Sequence, residues 1–86
     1  MKLTNLTSSR GNKVPNQFKV ETENEIYYQS YESVIVRIEN EKTFLDAKYW
    51  NYSKTTAKYR NQFLGETTKE TEQKIKEGIY ILTNLN

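Results

Sequence analysis

Eighty-six residues and 10.2 kDa make one small domain, and the chain holds no His and no Cys. That inventory excludes disulfides, thiolate nucleophiles, His-based acid–base chemistry and Cys/His zinc sites. A hydrophobic share of 35% with 13% aromatics predicts an ordered domain with a thin, ring-rich core, and a net charge of +2 is too small to argue for a polyanion partner by itself.

Residues 1–15 read as a flexible or loosely attached segment. Thr7-Ser8-Ser9-Arg10-Gly11-Asn12-Lys13 is polar and without period, and Pro15 keeps Val14 out of the helical region. Leu3 and Leu6 offer at most a short edge element. No apolar stretch of signal-peptide type opens the chain, and none elsewhere reaches membrane-spanning length. A cytoplasmic protein with no membrane association is therefore expected.

Residues 16–86 read as a single α+β domain. Phe18 and Val20 alternate with Lys19 and Glu21, the period of a strand, and Glu23-Asn24-Glu25 makes a turn. Ile26 to Tyr31 then returns as the second arm of a hairpin. Val34-Ile35-Val36-Arg37-Ile38 is the strongest strand, with Val34, Val36 and Ile38 expected on one face and Ile35 on the other. Thr43 to Asp46 follows across a short turn, giving an antiparallel meander of four strands.

After Trp50 the period becomes helical. Ser53 is a candidate N-cap for a helix with Thr56, Tyr59 and Phe63 on one stripe, and Gly65 is a candidate stop. Thr67 with Glu70 has capping-box spacing for a second helix over 69–77, in which Ile75 is the one large apolar anchor. Gly78 ends it, and Ile79 to Leu82 forms a closing strand.

Charge is segregated along the chain. Residues 1–20 carry four cations and no acid, residues 21–41 six Glu against Arg37, and residues 42–62 five cations against Asp46. The third block contains the most informative segment, 48–60. It interleaves Tyr49, Trp50, Tyr52 and Tyr59 with Lys48, Lys54, Lys58 and Arg60, the mixture of rings and cations that single-stranded nucleic-acid sites use. Lys54, Lys58 and Asn61 fall on one helical face that suits a phosphate backbone. The competing reading makes Trp50, Tyr59 and Phe63 core and the cations an ordinary solvated face.

A second cluster is Tyr27, Tyr28 and Tyr31. Strand alternation puts Tyr27 and Tyr31 on one face with Gln29, and Tyr28 on the other. Tyrosines displayed on a sheet suit protein binding; alternatively they cover a thin core. Asp46, Glu39 and Glu41 lack the ligand density of a calcium loop. Ser30, Ser33 and Ser53 have no histidine to activate them. No cofactor and no catalytic residue is expected.

Several segments carry a resemblance: Gly11-Asn12-Lys13-Val14, Asn16-Gln17-Phe18, Tyr28-Gln29-Ser30-Tyr31, Leu45 to Ser53, Thr55 to Glu66 and Leu82 to Asn86. Over nearly its whole length the chain is similar to a group of small bacteriophage and prophage accessory proteins that bring no established activity. Ala57 stands where glycine is associated with the group, and Asn51 where aspartate is. The resemblance implies a phage-borne protein acting in the host cytoplasm. The expectation is a non-enzymatic binding module for a host or phage protein, with inhibition of host defence or replication as one form such binding takes. Nucleic-acid binding through 48–60 is the alternative, and a structural or assembly role with self-association at a sheet edge is the second. A monomer or small homo-oligomer fits all three.

Overall fold

A computed structural model describes all 86 residues. Its elements are β1 (Lys2–Thr7), β2 (Lys13–Glu21), β3 (Glu25–Ser30), β4 (Ser33–Glu39), β5 (Lys42–Asp46), α1 (Lys54–Leu64), α2 (Thr68–Lys76) and β6 (Tyr80–Thr83). The fold is α+β, and the sheet has six strands in sequence order. The expected four-strand meander corresponds to β2–β5 and understates the sheet: β1 adds an unexpected strand, and the expected closing strand, present as β6, joins the same sheet.

At the N-terminal end, Lys2–Thr7 is an edge strand antiparallel to β2 and not a loose tail. The polar run that suggested a tail is the hairpin connection, closed by the Ser8 amide on the Asn12 carbonyl at 2.8 Å. Leu6 fixes the strand by entering the core. Pro15 is tolerated because the β1–β2 ladder breaks there: the register shifts between Asn5 and Thr7, and Asn16 turns at φ 64°. The Asn5 side-chain amide donates to the Val14 carbonyl across the gap.

At the other end, β6 pairs with β5 in parallel. The two helices form the crossover that parallel pairing needs, returning the chain to the end of the sheet where β5 began. Asn40 and Glu41, at φ 52° and 64°, make the two-residue connection between Glu39 and Lys42. Positive φ at both central positions is the signature of a type I′ hairpin turn.

A bulge changes which residues of β4 face inward. Tyr28 pairs with Val36 and Gln29 with Val34, so Ile35 has no partner. Both Ile35 and Val36 are buried, and the expected alternation of Val34, Val36 and Ile38 against Ile35 fails. The core also takes Tyr28, Leu45, Tyr59 and Tyr80, with Phe63, Leu64 and Ile75 packed against it from the helices. One row crosses all six strands on the face away from the helices: Leu3, Val20, Tyr27, Arg37, Phe44 and Ile81. Arg37 lies 4.9 Å over the Phe44 ring, and Tyr27 donates to the Glu25 carboxylate at 2.8 Å.

The helices are bounded as their sequences require. Ser53 accepts from the Thr56 amide, Gly65 adopts φ 70° behind α1, and Thr67 with Glu70 forms a complete capping box before α2. Ile75 is not the only anchor of α2. Thr71 is fully buried and donates to Glu66, whose carboxylate also receives Lys74 at 2.7 Å and Tyr80 at 2.8 Å. Burial pushes the Glu66 carboxyl up, but its bonds from Lys74, Thr71 and Tyr80 outweigh that, and the net shift is downward.

Candidate functional site

The segment 47–53 runs from the end of β5 to the cap of α1, and two buried polar residues shape it. Asp46 holds its beginning. Its carboxylate accepts from the amides of Lys48 and Tyr49 at 3.1 and 2.9 Å, and from the Leu85 amide and the Asn86 side chain at 2.8 and 3.1 Å. One side chain thus fixes both the loop and the end of the chain. Desolvation pushes the Asp46 carboxyl up, but these four bonds outweigh it and hold the carboxyl below its ordinary value.

Arg60 holds the middle of the segment. It is fully buried, 5.2 Å from the Trp50 ring, and its guanidinium donates to the Trp50 carbonyl, Asn51 Oδ1, Asn61 Oδ1 and Thr68 Oγ1. Planar, five-donor geometry suits this role and lysine would not fill it. Burial lowers the affinity of the group for its proton, yet arginine stays charged at any physiological pH. Arg60 therefore locks the 50–51 loop to both helices. It is not available as a phosphate contact, which corrects its assignment to a binding surface. Tyr59 is core as well, and Trp50 packs against the core.

The remaining rings of the segment point elsewhere. Tyr52 is 69% exposed and meets Tyr49 edge to face, with centroids 5.3 Å apart. Together they wall an open cleft of about 260 Å³, with Ser53, Thr55 and Thr56 from the start of α1. The opposite wall is Ser30, Tyr31, Ser33 and Ile35 from the β3–β4 hairpin. Two tyrosine clusters eighteen residues apart in the chain (Tyr31 to Tyr49) therefore meet at one opening.

Tyr31 reaches it through an unusual backbone. The strand ends at Ser30, and Tyr31 stands at φ 55° in the two-residue connection to Ser33. A bulky aromatic residue in the left-handed region is a genuine outlier. The conformation is held by its amide donating to the Asn16 carbonyl at 2.7 Å and its carbonyl accepting from the Gln29 side chain at 2.8 Å. The turn breaks strand alternation, so Tyr31 joins the cleft while Tyr27 stays on the opposite face of the sheet. The expected pairing of Tyr27 with Tyr31 is corrected accordingly. Tyr28 lies beneath, fully buried, donating to Gln17 Oε1 at 2.6 Å, and burial pushes its hydroxyl up to about 12.

Three exposed cations remain in the segment. Lys48 lies 5.2 Å from the centroid of the Tyr49 ring, Lys58 lies 5.4 Å from that of Tyr59, and Lys54 opens α1. Asn61 does not join Lys54 and Lys58 as a contact face, since its side chain bonds Arg60 and Thr68. The cleft lining carries no charged residue, and its polar atoms are hydroxyls and backbone. Ser30, Ser33 and Ser53 do meet there, although no lysine or carboxylate lines the space with them. Sequence periodicity gave no hint of the hydroxyl lining; the readable hint was Ser53 as a cap beside an exposed aromatic run. No three Asp or Glu side chains are grouped as a metal site, and no helix is long and apolar enough to cross a membrane.

No curated protein and no solved structure matches the chain. A family model does match, over residues 1–78, which takes in the whole cleft and both locking residues. The chain belongs to this family, a family of unknown function designated DUF8033.

Proposed function

We propose that the protein is a non-enzymatic binding module that engages a protein partner through the cleft between the β3–β4 hairpin and the start of α1. The observation that carries this reading is the convergence of Tyr31, Tyr49 and Tyr52 on one opening, with Tyr31 and Tyr52 more than half exposed. Tyrosine gives large, rigid contact area at low entropic cost, and exposed rings around a pocket are the usual anchors of protein interfaces. The titratable groups that a catalyst would draw on, Asp46, Arg60 and Glu66, are engaged in internal bonds. A phage accessory role, in which a small protein occludes a surface of a host factor, is compatible with such a site. The nucleic-acid reading is weaker because Arg60 and Tyr59 belong to the interior.

Affinity capture from bacterial lysate tests the reading when the wild type is run beside Tyr31→Gly/Tyr52→Ala. A stoichiometric partner is expected with the wild type and lost with the double variant, both being folded by circular dichroism. Capture that is indifferent to the substitutions overturns it.

A further inference from the structure

An open sheet has two edges, and in this one they differ. β1 is guarded: it carries Lys2, and its ladder to β2 is interrupted between Asn5 and Thr7. A charge and a bulge are the devices that keep a second chain from pairing with an edge. β6 has neither. From Gly78 to Asn86 there is no charged side chain and no proline, and Ile79, Ile81 and Leu82 are 57%, 41% and 41% exposed. The residues after β6 do not shield it. The Leu85 amide and the Asn86 side chain turn back to Asp46 and Val34, away from the open side.

Ladder geometry fixes which backbone groups are free. The Ala47 amide donates to the Thr83 carbonyl at 2.8 Å, so Thr83, and Ile81 two residues before it, turn their backbone groups toward β5. Tyr80 and Leu82 turn theirs to the other side, where no strand follows. Side chains alternate between faces. Ile81 stands beside Phe44 on the face away from the helices, and Tyr80 and Leu82 stand beside Thr43 and Leu45 on the helix face.

We infer that β6 pairs antiparallel with β6 of a second copy about a two-fold axis at Ile81, joining the two sheets into one. In this register Tyr80 of each copy faces Leu82 of the other, and each such pair exchanges both of its N–H···O bonds. Ile81 meets Ile81 of the second copy as a non-hydrogen-bonded pair, with Cα atoms about 4.5 Å apart and side chains in contact. Ile79 meets Thr83, and Leu82 covers Tyr80. An axis at Tyr80 or at Leu82 would instead oppose strand residues to Gly78 or Asn84, which lie outside β6. No charged side chain between residues 78 and 84 opposes its own equal. Pairing of β6 with β1 is disfavoured by the guarded edge and would grow an open filament, whereas the two-fold contact closes. Four strand residues a side bury less than the roughly 1,000 Å² of a stable interface, so the dimer is weak and exchanges with monomer. No residue of β6 lines the cleft, so both clefts stay open in the dimer and the two readings stand or fall separately.

Sedimentation velocity of the full chain from about 10 µM to about 1 mM tests the inference, with a shift from monomer to dimer expected over that range. Ile81→Lys sets like charges directly opposite and should weaken the dimer about tenfold. Leu82→Pro loses only an amide that points outward, so it keeps the ladder to β5, stays folded by circular dichroism, and removes half of the bonds between copies. Register is read by thiols, since the chain has no cysteine of its own. Oxidised Ile81→Cys should cross-link, its facing Cα atoms lying within the roughly 4.4–6.8 Å a disulfide spans. Thr83→Cys should not, its thiols being four residues out of register, about 13 Å apart. A chain monomeric at about 1 mM overturns the inference, as does a dimer indifferent to both Ile81→Lys and Leu82→Pro. Equal cross-linking at the two positions, or growth past the dimer, overturns the two-fold register. A monomer whose Tyr80 and Leu82 amide NMR signals shift saturably with an alternating valine–threonine peptide would give the edge to a foreign strand and overturn self-pairing.

Discussion

The rings and cations of residues 48–60, together with Tyr31 across the cleft, divide into two regions of opposite character. The Arg60 guanidinium is fully buried, and its two terminal nitrogens donate to four acceptors while Nε has none. Around Tyr31 and Tyr52, residues of similar type are left open to water, one of them in a strained backbone. The lesson is that residue type does not separate core from surface in a small aromatic domain; satisfied hydrogen bonding does. A guanidinium with several fixed partners holds the fold together, and a tyrosine with none is available to something else.

Breaking the locked region should have the largest effects. Arg60→Ala empties a fully buried side-chain site and leaves the Trp50 carbonyl without its Arg60 donor, and is expected to cost about 3 kcal/mol or more. Against the roughly 4–13 kcal/mol usual for a chain of this size, urea denaturation should then show a marginal or unfolded protein. Arg60→Lys keeps the charge but not the fork, and should cost about 2 kcal/mol.

Asp46→Ala should cost about 2–3 kcal/mol through four lost bonds, and it links the two regions because it fixes the Tyr49 wall. The carboxyls of Asp46 and Glu66 both lie below their ordinary values in the folded protein. Their stabilisation is therefore full above the unfolded-state values of about 4, and is lost as pH falls through the lower folded-state values. Thermal melts should be flat near neutral pH and drop steeply in the acid limb, with the Asp46 part of that drop missing in Asp46→Ala. A smaller effect is expected at the cap of α2, where Thr67→Ala removes the capping box for about 1 kcal/mol. Smallest of all, Tyr52→Ala should change stability by under about 0.5 kcal/mol, since the ring is mostly solvated.

Local chemistry made much of the fold legible. The Ser53 cap, the Gly65 stop and the Thr67–Glu70 box depend on residues a few positions apart, and all are present. Features set by distant partners were not legible. Lys2–Thr7 becomes a strand only because β2 offers an edge and the core accepts Leu6. Ile35 turns inward through a bulge that no alternation announces, and Thr71 anchors α2 through a carboxylate five residues before it. The site was half legible for the same reason. Tyr49, Tyr52 and Tyr31 were each conspicuous as rings, but a positive φ at Tyr31 brought them together, and period-two reasoning pointed Tyr31 the other way.

That turn gives the most direct test of the claim that the cleft tyrosines serve recognition. In Tyr31→Gly the left-handed backbone is relaxed and the exposed ring removed, whereas Tyr31→Ala removes the ring and keeps the strain. Urea denaturation of Tyr31→Gly should show stability unchanged or raised, by up to about 1 kcal/mol, while binding of the partner captured by the wild type falls about tenfold. A variant that loses more than about 1 kcal/mol, or that binds as the wild type does, would contradict the account.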